Sequence, residues 1–153
     1  MVLPDKVTSF FEKQGFVIVS TIDNKNGIHS SIKGIVSIEQ QGNMYLMDLY
    51  MGATCANLKR NNKISITAVD EKHFIGYALK GKARIIEREE IKSHIIEKWD
   101  SRINKRISSR LIRHIREEEH SSGNPEADLP LPKYLIIMEV DEIVDLSPRS
   151  IRG

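Results

Sequence analysis

The sequence predicts a mainly β fold, six antiparallel strands in a small closed or half-closed barrel, with an N-terminal helix and a helical insertion before the last strand. Three observations carry that expectation. Short runs rich in β-branched residues recur with turn residues between them. The turns are short, so neighbouring strands pair antiparallel. After five strands the apolar period turns helical between about residues 89 and 118, and a single strand follows.

The elements follow in order. Residues 4–14 read as a short helix: Pro4 suits its first turn, Val7, Phe10 and Phe11 make an apolar stripe, and Gly15 stops it. Residues 16–23 are a β run and 24–27 a turn. Residues 29–39 form the next strand, which pairs through a turn at 40–43 with residues 44–50. Two more strands lie at 64–70 and 76–87, joined by a loop at 71–74. Then Ile91, Ile95, Trp99, Ile103, Ile107, Leu111 and Ile115 recur at helical spacing, in one long helix or in two with a break near 100–104. Residues 119–132, with Gly123, Pro125, Pro130 and Pro132, read as a loop, and residues 133–146 as the closing strand. The chain reads as one domain without repeats.

Composition narrows the function. The 153 residues are 40% hydrophobic and 29% charged, with a net charge of +2, a balance that does not by itself point to nucleic acid. Cys55 is the only cysteine, which excludes an internal disulfide and a thiolate zinc cluster and suits a reducing compartment. Charged residues near the N-terminus argue against a signal peptide, and the apolar runs 16–19 and 134–138 are far too short to span a bilayer. A cytoplasmic protein is expected. The five histidines show no paired metal spacing, and no nucleophilic serine elbow or cysteine–histidine pair stands out, so any chemistry is expected to rest on a bound cofactor.

The richest stretch is residues 45–67, YLMDLYMGATCANLKRNNKISIT, which reads as strand, glycine loop, short helix, asparagine turn, strand. A helix opening just after a glycine loop offers free N–H groups and a positive dipole end to an anion. Gly52 allows close backbone approach, and Thr54 either caps the helix or offers its hydroxyl to a phosphate oxygen. Asn57 and Leu58 read as its polar and core faces, and Lys59 lies where it can reach back. In the strand before, Ser31 and Lys33 project to one side about 7 Å apart. Ile32, Gly34, Val36 and Ile38 read as the interior face, and Ser31, Lys33, Ile35 and Ser37 as the other. Asp48 needs a donor: a flavin imide N–H, Lys33 or Lys59. Tyr50 packs on a ring or covers the barrel end. In the strand 76–87, Lys80, Lys82 and Arg84 share a face opposite Tyr77, Leu79, Gly81, Ala83 and Ile85.

Taken together, residues 45–70, preceded by NGIHSSIKGIV and followed by GYALKGKARII, resemble the pyridoxamine 5′-phosphate oxidase-like FMN-binding split-barrel family. The closing KYLIIMEVDEIVDLSP resembles that family's last strand. The resemblance implies a six-stranded antiparallel split β-barrel of Greek-key type and a homodimer with FMN at the interface. It implies that Ser30, Ser31 and Lys33, with Gly52, Thr54, Asn57 and Lys59, hold the phosphate, and that Asp48, Leu49 and Tyr50 line the isoalloxazine. Ala53 stands where relatives often carry a lysine or arginine, and residues 147–152 lack the oxidase's arginine–histidine motif. The implied activity is therefore a flavin-dependent oxidoreductase acting on an unknown small-molecule substrate or electron donor. The alternative is a non-catalytic flavin or phosphate-ligand binder, a carrier or sensor. A third reading is a nucleic-acid-associated protein using residues 98–116, which carry seven cations against the single Asp100.

Overall fold

The structure is a computed structural model that describes residues 1–48, 52–102 and 134–150. Helix α1 (Asp5–Glu12) precedes strands β1 (Phe16–Ile22), β2 (Ile28–Ile38) and β3 (Asn43–Asp48). Helix α2 (Ala53–Arg60) leads to β4 (Lys63–Asp70) and β5 (Ile75–Glu87). A 3₁₀ turn (Arg88–Glu90) and helix α3 (residues 93–102) follow, and β6 (Tyr134–Asp145) comes last. The strands close a barrel in the order β1-β2-β3-β6-β5-β4, antiparallel at every seam, with β4 returning to β1. This is the expected split barrel. Its two halves are the meanders β1–β3 and β4–β6, and β6 bridges them by pairing with both β3 and β5.

Pro4 is the N-cap of α1 rather than a residue of its first turn, with an extended ψ of 147°. The apolar stripe seats Val7 and Phe11 in the core, and Phe10 packs edge-on against Phe11 and Tyr77. The barrel interior is filled by Val17, Val19, Ile35, Leu46, Ile66, Leu79, Ile136 and Met138. Gly42 turns the β2–β3 hairpin at φ +104°, and a side chain there would run into the backbone of Met1.

One expectation is reversed. The inner face of β2 is not Ile32, Gly34 and Val36: Ile35 is fully buried inside the barrel, whereas Ile32 is 69% exposed on the outside. A bulge between Ile35 and Ser37 is the reason. It shifts the alternation by one residue, so Ser31, Lys33 and Ile35 face inward and Ile38 joins them beyond the bulge, while Val36 faces out.

Val36 is covered from outside. Ile95 and Trp99 of α3 pack with it over Met47, Leu135 and Ile137, joined by Ile91, which precedes the helix because α3 begins at residue 93 rather than near 89. A side chain on Gly34 would collide with the Trp99 ring. Residues 103–118 of the expected helix lie outside the described residues. Of the basic segment 98–116, Lys98 donates to Ser37 Oγ at 3.4 Å and Arg102 to the carbonyls of Gln14 and Glu12 at 3.2 and 3.4 Å. Lys98 ties α3 to β2 and Arg102 ties it to the end of α1; residues 103–116 lie outside the described residues. On β5 the expected split holds: Lys80, Lys82 and Arg84 are exposed, and Tyr77, Leu79 and Ala83 are buried.

Candidate functional site

The α2 end of the barrel gathers polar side chains from four elements. β2 presents Ser31 and Lys33, β3 ends at Asp48, β6 begins at Tyr134, and α2 supplies Thr54 and Cys55. Lys33 Nζ donates to Asp48 Oδ1 at 3.0 Å, and the Tyr134 hydroxyl donates to Asp48 Oδ2 at 2.5 Å. The lysine side chain is 13% exposed and the carboxylate 1%. A carboxylate so deeply buried requires donors on its oxygens, and here a cation and a phenol supply them. Of the donors considered for Asp48, the structure brings Lys33 to it. Burial, the Asp48 carboxylate and the Cys55 thiol together push the Tyr134 phenol far above its ordinary pKa.

Beside this triad, Ser31 Oγ and Thr54 Oγ1 lie 2.7 Å apart. Thr54 sits in the first turn of α2, almost fully buried, and is not the N-cap. Gly52 holds that position without any side-chain cap, and the space beyond its Cα is open. The first turn of α2 therefore has no side-chain cap, and a pair of hydroxyls lies alongside it.

The other expected residues are placed differently. Asn57 is buried; its amide donates to Thr21 Oγ1 at 3.0 Å and accepts from Arg60 at 2.9 Å, which ties α2 to β1. Lys59 is exposed in the last turn of α2, the turn farthest from Thr54. Ser30 points to the outer face and lies 3.0 Å from Ser20 Oγ. Leu49 and Tyr50 lie outside the described residues. Tyr134 and Cys55 are not among the expected site residues. Only the pairing of Asp48 with Tyr134 across β3 and β6 reveals the phenol, and that pairing spans 86 residues.

The model of the family described as pyridoxamine 5′-phosphate oxidase matches residues 3–129. The chain belongs to the pyridoxamine 5′-phosphate oxidase family. Several solved structures share its fold. HupZ of Group A Streptococcus superposes with a TM-score of 0.64 at 18% identity, covering 95% of this chain and 94% of that one. A putative pyridoxamine 5′-phosphate oxidase from Lactobacillus delbrueckii gives 0.61 at 13% identity, covering 94% and 93%. An F420 reductase gives 0.58 at 11% identity, covering 93% and 98%. No curated protein matches the chain. Among the described residues no helix is long and apolar enough to cross a membrane, and no three His, Cys, Asp or Glu side chains converge as a metal site would require.

Proposed function

We propose that this chain is an FMN-binding flavoprotein that works as an oxidoreductase, and that it does so as a homodimer. The observation that carries the reading is the Ser31–Thr54 hydroxyl pair beside the uncapped first turn of α2. Hydroxyls and N–H groups converging at a helix N-terminus suit a phosphate monoester. Membership of the family supports the flavin. When bound, FMN supplies the electron-transfer chemistry that no side chain here provides.

The residues of the site then divide their tasks. Ser31 and Thr54 donate to the phosphate, and Gly52 leaves room for it. Asp48 is committed to Lys33 and Tyr134, so it fixes the end of β3; lining the ring is the role proposed for Leu49 and Tyr50. The lysine charge is largely spent on Asp48, so phosphate affinity rests on hydroxyls and backbone rather than on a cation.

Titration of FMN against riboflavin by flavin fluorescence tests this. FMN is expected to bind at least tenfold more tightly, and Thr54→Val to lose most of that advantage, since a hydrogen bond to a charged group contributes about 1.5–3 kcal/mol. Equal affinity for the two flavins would contradict the phosphate site. Steady NAD(P)H oxidation by the reconstituted protein with an acceptor distinguishes an oxidoreductase from a carrier, which would show none.

A further inference from the structure

The opposite end of the barrel holds a second concavity, far from Thr54. It lies between α1, the β4–β5 turn and the residues after β6, with a volume of about 900 Å³. Lys6 and Phe10 of α1, with Lys13 at its C-cap, line it at the i, i+4 and i+7 spacing of one helix side. Phe10 and Tyr77 form its aromatic wall, with ring centroids 5.2 Å apart and planes at 75°.

Three features there have no structural use. Tyr77 is only 7% exposed, yet its hydroxyl has no hydrogen-bond partner among the described residues. A buried phenol without a partner is costly, and buried hydroxyls are nearly always satisfied. Lys6 and Lys13 are exposed, and neither has an ion-pair partner among the described residues. Two carboxylates, Asp70 and Asp145, also line the cavity, and each accepts a hydrogen bond from a neighbour in the sequence. Asp70 accepts from His73 Nδ1 at 2.7 Å, and that bond holds its carboxyl below the usual range. Asp145 Oδ1 accepts the Ser147 N–H at 2.9 Å.

We infer that this concavity is a binding site for a small anion carried on a flat apolar body, an aromatic carboxylate being the simplest case. The ring would lie against Phe10 and Tyr77, the Tyr77 hydroxyl would gain its missing partner, and the two lysines would face the charge. The cavity is polar over much of its lining, and Phe10, Ile75 and Tyr77 form one apolar wall against which a flat ring could lie. The inference does not depend on flavin binding.

The test uses 2-naphthoate as probe and 2-naphthamide as its neutral counterpart, followed by NMR of the labelled tyrosine and phenylalanine rings in the full chain. Saturable shifts at Tyr77 and Phe10 are expected with 2-naphthoate, at an affinity at least tenfold above that of the amide. Lys6→Gln with Lys13→Gln should remove that preference while leaving the FMN titration unchanged. In the ligand-free protein Tyr77→Phe should not lower stability, because the hydroxyl has no partner among the described residues. The inference fails if the Tyr77 signals do not saturate up to millimolar probe, if acid and amide bind equally, or if the lysine variant binds as wild type does.

Discussion

Asp48 is the residue around which the α2 end is organised, and its neighbours set unequal costs. Lys33→Met leaves a carboxylate buried without its cation and is expected to cost about 3–5 kcal/mol. Tyr134→Phe removes one neutral donor and is expected to cost about 1–3 kcal/mol. Urea unfolding of the two variants checks the order, and a milder effect from Lys33→Met would contradict it. The phenol also makes stability depend on pH. Tyr134 ionises near pH 10 in the unfolded chain and only at higher pH in the folded one. The folded chain thus keeps a proton that the unfolded chain releases. This contribution is complete below about pH 10 and declines above it, by at most about 1.4 kcal/mol per pH unit. Tyr134→Phe should flatten that decline between pH 10 and 11. Tyr45, also raised by burial and by Glu39, retains its own share. Asp48, Ser31 and Thr54 were legible as polar residues at the ends of adjoining elements. The choice of Lys33 over Lys59 was not, because it depends on which way β2 faces.

At the scale of elements, what the sequence displays plainly is period, and what it hides is phase. Ile95 and Trp99 announce α3 and are buried as their spacing requires, and Ile91, just before the helix, is buried with them. In β2 the alternation is just as visible, yet one bulge near Val36 decides which set is inside. No local residue pattern announces that bulge. Asn57 shows the same limit: it reads as the polar face of α2, and in the fold that face is turned inward onto Thr21. The α3 seam yields a prediction. Trp99→Ala should cost about 3–5 kcal/mol, as truncations of buried aromatics do. Gly34→Val should destabilise as well, because a side chain there occupies the space of the Trp99 ring. Pairing Gly34→Ala with Trp99→Leu should recover part of that loss, and thermal unfolding of the three variants shows whether the two positions are coupled.

For the whole molecule, the barrel was legible because its strands are short, regularly spaced and joined by turns. The order in which β6 inserts between β3 and β5 came only with the family likeness and the structure. The outer face of β1 and β2 leaves Ile18 and Ile32, direct cross-strand partners, exposed together with Ile28. An apolar surface of this kind is what a second copy would cover in the proposed homodimer. Ile18→Lys with Ile32→Lys should yield a monomer by sedimentation and weaken FMN binding, because the flavin is proposed to sit at the interface. A dimer that survives both lysines would place the contact elsewhere. The central claim is tested most directly by the visible absorption spectrum of the protein after addition of FMN and removal of the unbound portion. Flavin bands retained at one per chain, and lost in Thr54→Val, are the predicted result. A colourless wild-type protein would contradict the account.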